Sequence, residues 1–316
     1  MQRILPGLFL SDANAAQDES QLRANQISLV LSFGSTRVTL PEEFKGTQNF
    51  FCVNDMDNSD ILRFFPEACQ LIDECRAQED GAVLVHCHAG VSRSPTIVLA
   101  YLMRDRGIAD PKEAFTLLHD ELAYTTVGPN SGFMDQLALW SDMGYKLDPG
   151  SHGYRRWKLW LMAMQFQDFG YVSELSVSSV GEISSRDGVP TRRFKCKKCR
   201  TVLVDQDHVL QHEPGMFSSG QSSFAYFKRD VDDLLRRRQA RNAYTARGPP
   251  ECNSIFTEPM EWALSELGNG NVEGKLYCPN QRCKAKLGSF NWAGLTCSCG
   301  KWVTPAFSLQ NSKIDH

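Results

Sequence analysis

Residues Ala82–Arg106, AVLVHCHAGVSRSPTIVLAYLMRDR, decide the fold of this chain. Ala82–His86 is a short run apolar on both faces, as a buried parallel strand requires. A cysteine follows at once, then a loop of five residues, His88, Ala89, Gly90, Val91 and Ser92. Arg93 and Ser94 open a helix over Ser94–Arg106, with Ser94 as its cap and Pro95 at its first helical position. A strand-loop-helix junction turns successive backbone N–H groups into one concavity. The helix N-terminus adds positive potential, and together they hold a tetrahedral oxyanion. Gly90 lets the loop turn tightly, and the planar fork of Arg93 can hold two phosphoryl oxygens. The field that binds phosphate also favours a thiolate, so Cys87 at the bottom is a candidate nucleophile aimed at phosphorus. A lone C-x5-R is common by chance; the strand, glycine, serine and helix around this one make it specific.

Outward from that stretch, strands and helices alternate. Ile27–Phe33 and Asn49–Val53 have strand length. Ile61–Gln78 places Leu62, Phe65, Cys69, Ile72 and Cys75 at helical spacing, with Pro66 delaying the regular helix. Asp110-Pro111-Lys112-Glu113 reads as a capping box before another helix. The N-terminal MQRILPGLFLSD is too broken by Pro6 and Gly7 for a signal-peptide core and reads as a first strand or hairpin. The expected fold is α/β, a largely parallel sheet flanked by helices.

After Gly150 the pattern changes. Tyr154–Gln167 reads as one amphipathic helix, and Val172–Pro190 as a serine-rich linker. Metal-ligand pairs, glycine turns and short apolar runs such as Thr201–Val204 then suggest a small zinc-organised β-rich domain. The expected organisation is 1–150, a linking 151–190, and 191–316. Charge divides the same way. Residues 1–150 carry 11 Lys/Arg and 21 Asp/Glu, a net −10; of the chain's 34 and 37, 23 and 16 remain for residues 151–316, a net +7. The basic half suits a polyanionic partner. No apolar run approaches the ~18 residues of a membrane span, which predicts a soluble chain with no membrane partner.

Seven of the 11 cysteines lie beyond residue 195, as Cys196-x2-Cys199, Cys252, Cys278-x4-Cys283 and Cys297-x-Cys299. Close pairs of this kind hold metal more readily than they form disulfides, which points to a reducing compartment. Two four-coordinate zinc ions need eight ligands, and a histidine completes the set. His208 and His212 are both available, and His212 follows an apolar anchor. A sequential grouping assigns Cys196, Cys199, His212 and Cys252 to one ion and Cys278, Cys283, Cys297 and Cys299 to the other. An interleaved pairing would use the same eight residues. Either way the zinc is structural, because full coordination leaves no open position for water.

HCHAGVSRS resembles the HC-x5-R signature of cysteine-dependent protein phosphatases in its dual-specificity form. ILPGLFLSD, PTIVLAYLM and Val127–Leu137 (VGPNSGFMDQL) are similar as well. The resemblance implies a general acid on the loop Val53–Asp60: Asp55 first, Asp57 as runner-up, and Asp60 as the cap of the next helix. It implies a two-step reaction, in which Cys87 attacks phosphorus, Asp55 protonates the leaving oxygen, and water cleaves the phosphocysteine. The N–H groups of residues 88–93 and Arg93 would stabilise the phosphoryl oxygens, Ser94 the sulfur as it leaves, and His86 would orient the cysteine. No metal is needed for that chemistry. Lipid-phosphate relatives usually carry Lys inside the signature; here those positions are His88 and Val91, favouring a phosphoprotein substrate with phosphotyrosine or phosphoserine/threonine.

Phe194–Arg200 and Leu287–Phe307 resemble the C-terminal zinc domain of the dual-specificity phosphatase 12 family. Cys278-x4-Cys283 departs from the usual x2 spacing, and Phe227–Pro250 is longer and more basic than in the family. That resemblance implies a part in large-subunit ribosome maturation, docking to pre-60S particles through the zinc domain, and a location in cytoplasm and nucleus. Basic clusters at 192–200 and at Arg236–Arg238 with Arg241 could neutralise phosphates. Phe290, Trp292 and Trp302 are expected in the core rather than stacked on bases.

Overall fold

The computed structural model describes residues 1–122, 127–172, 177–180, 192–212, 252–267 and 271–315. The chain divides into two units, Met1–Pro149 and Gly150–His316. Among the described residues no helix is long and apolar enough to cross a membrane.

In the first unit the N-terminal run folds into an antiparallel hairpin of β1 (Gln2–Leu5) and β2 (Leu8–Ser11). Gly7 makes the turn at φ 74°, and a Cβ there would lie 2.6 Å from the Gly81 carbonyl oxygen. Two short helices follow, α1 (Ala13–Ala16) and α2 (Glu19–Ala24). The predicted strands form as β3 (Leu29–Gly34), β4 (Thr47–Cys52) and β5 (Val83–His86). The sheet runs β1-β2-β5-β3-β4, and its last four strands are parallel. β5 is central and buried along its whole length, which explains why it reads as apolar on both faces.

α3 (Phe65–Arg76) begins at Pro66's own first turn, after a 3-10 turn at Leu62–Phe64. Proline costs nothing there, because a first-turn N–H has no partner within the helix. α4 is Arg93–Arg106, opening earlier than predicted: Ser92 stands at the N-cap position and Ser94 lies inside the first turn. Ser94 therefore does not cap; its hydroxyl is used elsewhere, as described below. Residues 94–103 of α4 are all buried, as expected of a helix covered on every side. α5 (Pro111–Glu121) is capped by Asp110, whose carboxylate accepts from the Lys112 N–H at 2.9 Å. α6 (Ser131–Asp142) is capped by Asn130.

The second unit opens with α7 (His152–Phe169), capped by Ser151, whose Leu159, Met162 and Phe166 join that unit's core. The strands are β6 (Arg193–Cys196), β7 (Val202–Asp205), β8 (Val209–Leu210), β9 (Ser254–Thr257), β10 (Glu273–Tyr277), β11 (Lys286–Asn291), β12 (Leu295–Thr296), β13 (Trp302–Val303), β14 (Ala306–Gln310) and β15 (Ile314–Asp315). They form an antiparallel sheet in the order β10-β11-β14-β9-β8, a second sheet β15-β6-β7 and the pair β12-β13. Phe166 stacks on Trp292, and Trp292 stands edge-on to Phe307. Phe290 and Trp292 are core residues, as predicted, whereas Trp302 is 46% exposed.

Part of the serine-rich stretch expected as a linker is tied down. Ser178 donates its N–H to Pro259 O and its hydroxyl to Glu258 Oε2 at 2.7 Å. Residues 173–176 and 181–191 lie outside the described residues, as do the predicted basic features of Phe227–Pro250.

Candidate active site and metal clusters

Cys87 is buried where β5 ends, and the loop 88–92 carries the chain to α4. Gly90 has φ 72°; a Cβ there would lie 3.0 Å from Ser11 C and O, so the loop packs directly on the end of β2. Two loop carbonyls face outward: His88 O accepts from the Ala13 N–H at 3.1 Å and Val91 O from the Gly128 N–H at 2.8 Å. Among the described residues, no backbone N–H of residues 88–93 donates to another protein group. Such a run of unused donors is rare in a folded chain. Here it follows a buried cysteine and leads into a helix N-terminus, the arrangement of an anion cradle.

The side chains complete it. Ser94 Oγ donates to Cys87 Sγ at 3.2 Å. Arg93 donates through Nη1 to Val53 O at 3.3 Å, and its Nε is buried without a hydrogen-bond partner among the described residues. Arg93 Nε stands 3.5 Å from Asp55 Oδ2. Asp55 Oδ1 accepts from Ser92 Oγ at 2.6 Å and from Asn130 Nδ2 at 2.9 Å. Of the three acids on the predicted loop, Asp55 thus faces the cradle. Asp57 accepts from Ser131 Oγ at 3.0 Å, and Asp60 accepts from the Arg63 N–H, capping the next turn. His88, Ala89 and Val91 are exposed at the mouth.

His86 is buried on β5 beside Ser32 of β3. Its Nε2 lies 2.7 Å from Ser32 Oγ and its Nδ1 3.2 Å from Cys87 O. Burial lowers its pKa, against the opposing pull of the Cys87 carbonyl bond and Asp12, which favours the neutral ring.

Asn130 and Ser32 escaped the sequence reading. Asn130 stands just before α6 in VGPNSGF, and the helix-cap position was its one local signal; its Oδ1 caps Phe133 N while its Nδ2 reaches Asp55. Ser32 sits in an apolar strand, and a lone polar residue there is the trace it leaves.

The eight predicted metal ligands form two clusters, and these correct the sequential grouping. Cys196, Cys199, Cys278 and Cys283 form one; His212, Cys252, Cys297 and Cys299 form the other, with the ligand atoms of each within 4.8 Å of one another. The pairing is interleaved because the Cys278 turn meets the Cys196–Thr201 turn, where Asn280 Nδ2 donates to Thr201 Oγ1, while Cys252 meets the Cys297 turn, where Asn253 donates its N–H to Ser298 Oγ. None of the eleven cysteines is in a disulfide. Cys196 and Cys283 sulfurs are 3.8 Å apart, and Cys199 and Cys278 sulfurs 3.5 Å. A tetrahedron with ~2.3 Å zinc–sulfur bonds has sulfurs ~3.8 Å apart, so the donor set and its spacing fit zinc. The longer Cys278-x4-Cys283 spacing is absorbed by Asn280, whose carbonyl accepts from the Cys283 and Lys284 N–H groups. Burial lowers the pKa of His212, favouring the neutral ring a metal ligand must be.

His208, the alternative histidine, is not in either cluster. It is buried 2.9 Å from Glu258 Oε2, and Glu258 also accepts from Arg155 Nε at 3.0 Å. Burial would raise the Glu258 pKa, but His208, the Arg155 charge and the Ser178 hydroxyl outweigh it and lower it.

The model of the dual specificity phosphatase catalytic domain matches residues 8–143. Dual specificity protein phosphatase 12 of Homo sapiens is 33% identical over 322 residues, covering 100% of this chain and 88% of that protein. Tyrosine-protein phosphatase YVH1 of Saccharomyces cerevisiae is 32% identical over 350 residues, covering 99% of this chain and 90% of that protein. Among solved structures, the Yvh1 phosphatase domain from Chaetomium thermophilum is 30% identical, covers 46% of this chain and 97% of that one, and gives a TM-score of 0.40.

Proposed function

From the premise that this chain belongs to the dual specificity protein phosphatase 12 family and is a protein phosphatase, we propose that it hydrolyses phosphotyrosine and phosphoserine/threonine through a phosphocysteine at Cys87. The Cys87 thiolate attacks phosphorus and a sulfur–phosphorus bond forms as the bond to the substrate oxygen breaks. Asp55, set beside Arg93 by Ser92 and Asn130, gives its proton to that leaving oxygen. Water then attacks phosphorus, Asp55 takes the proton, and sulfur leaves as a thiolate that accepts the Ser94 hydrogen bond. The N–H groups of residues 88–93 and the Arg93 guanidinium hold the equatorial oxygens. The observation that carries this reading is the run of unused amides in the loop between buried Cys87 and the start of α4. A Cys87→Ser protein is expected to lose hydrolysis of an aryl phosphate; hydrolysis at the wild-type rate would remove the proposal.

Zinc fits both clusters of the second unit. Cys196, Cys199, Cys278 and Cys283 would hold one ion, and His212, Cys252, Cys297 and Cys299 the other, each ion supplying structural cross-links. We assign this unit the task of docking to pre-60S ribosomal particles, with the cytoplasm and nucleus as its location. The family resemblance supports this, as do the +7 charge of residues 151–316, the exposed Lys197 and Lys198 and the exposed Trp302. Of the other cations in 192–200, Arg193 is paired with Asp205 and Arg200 with Asp315. In cells, Cys87→Ser and Cys278→Ser separate two roles. Arrested subunit maturation with only the zinc-site change would make binding to RNA or protein the main task and catalysis dispensable.

A further inference from the structure

We propose that Gln48 is a positioning residue, which fixes the proton arrangement of His86 through Ser32 and so keeps a neutral imidazole next to the reacting sulfur. The inference rests on Cys87 being the nucleophile and adds how its neighbour is controlled.

Five hydrogen bonds tie these groups together, and their donor-only and acceptor-only ends set the directions. Gln48 Nε2 lies 2.9 Å from Val38 O, a carbonyl that can only accept, and Gln48 Oε1 lies 2.9 Å from Arg37 Nε, which can only donate. The amide orientation is therefore settled by its neighbours. Its second N–H points to Ser32 Oγ at 3.0 Å, so Ser32 is an acceptor on that side. Ser32 has one proton, and it goes to His86 Nε2, 2.7 Å away. His86 Nδ1 faces Cys87 O, again an acceptor only, and must carry the ring's proton. Every link donates in the same sense, from exposed Arg37 through Gln48, Ser32 and His86 to the backbone of Cys87.

Ser32 and His86 are paired in register on neighbouring parallel strands, and both are buried, so water does not reset the chain. The charged groups bearing on His86 are Asp12 just after β2 and, beyond Gln48, Arg37; Cys87 follows it directly, past the end of β5. Asp12 favours a second proton on the ring. Ser32 would then accept that Nε2–H as well as the Gln48 N–H, and its own buried hydroxyl proton would have no acceptor among its partners. The amide, which offers Ser32 only a donor, thus disfavours the imidazolium. A carboxylate at position 48 reverses the logic: it accepts from Ser32 O–H, Ser32 accepts from His86 Nε2–H, and the ring takes its second proton.

The test uses the full chain with ¹⁵N-labelled histidine. In the wild type the His86 side-chain nitrogens should show a neutral ring protonated on Nδ1 at neutral pH; protonation on Nε2 overturns the proposal without any variant. In Gln48→Glu the His86 signals should become those of a doubly protonated ring. Alkylation of Cys87 by iodoacetamide at pH 5.5 should then rise at least about threefold, since a nearby cation favours the thiolate. Gln48→Met keeps the volume and, like the amide in this orientation, offers Ser32 no acceptor, so its alkylation profile should stay within about twofold of wild type. If Met and Glu shift the profile equally, the effect is packing and the proposal fails. The outcome is separable from the phosphatase reading, because Cys87→Ser retaining activity would sink that reading and leave the His86 signals as they are.

Discussion

Replacing Ser94 by alanine isolates one interaction in the second half of the reaction. Ser94 Oγ donates to Cys87 Sγ at 3.2 Å and the serine is fully buried, so no water takes its place when the hydroxyl is removed. Alanine is the better helix former inside the first turn of α4, so the fold is not weakened. A hydrogen bond to a charged group is worth about 1.5–3 kcal/mol. Sulfur gains its full charge as the phosphocysteine breaks down, so this loss falls mainly on that step. At 1.36 kcal/mol per factor of ten, hydrolysis of the intermediate slows by about 10- to 150-fold. Rapid-mixing measurements with an aryl phosphate should show a burst of phenol close to one per enzyme, followed by a steady rate reduced by that factor. A steady rate within threefold of wild type, with no burst, would refute the role given to Ser94.

Three further outcomes follow from the geometry. Gly90→Ala puts a Cβ 3.0 Å from Ser11 at φ 72°, so the loop must shift and aryl phosphatase activity should fall at least about tenfold, by strain of about 1–3 kcal/mol; unchanged kcat/KM would contradict the cradle. Cys196→Ser and Cys278→Ser should each lose the same one of two zinc ions, and the double variant no more, by metal content after dialysis. Loss of both ions in the double variant would restore the sequential grouping. Glu258 has a folded pKa below its unfolded value, so its contribution is present above the unfolded value of about 4.3 and lost as pH falls toward the folded one. The stability difference between wild type and Glu258→Gln should therefore shrink on acidification below about pH 5 in denaturant titrations; a difference constant from pH 7 to 4 would refute the assignment.

What the sequence disclosed follows the range of the forces involved. The cradle was legible because its parts are contiguous: strand, cysteine, glycine loop, arginine and helix lie within Ala82–Arg106. Asp110 and the Pro6-Gly7 hairpin turn were legible for the same reason. Ser94 was misread as a cap because a helix start is defined only to within a turn, and here the sulfur claimed its hydroxyl. The ligand identities Cys196 to Cys299 could be counted, yet their interleaving is a matter of which turns pack together, and that information is not local. Asp55 was separated from Asp57 and Asp60 by resemblance. The structure separates them by Ser92 and Asn130, which approach from a loop and a helix far along the chain. Ser32 and Gln48 carry no motif; their meaning comes from strand register.

The interleaved clusters bear on how the second unit is made and how it has been free to change. Neither cluster is complete before residue 283 has been synthesised, so a chain truncated short of that point holds only incomplete sites. His212 and Cys252, 40 positions apart, stand in one cluster, so a single ion there would close the span between them. Lengthening such a span costs only about 0.6 kcal/mol per doubling, so insertions there are thermodynamically cheap while the knot around them stays tied.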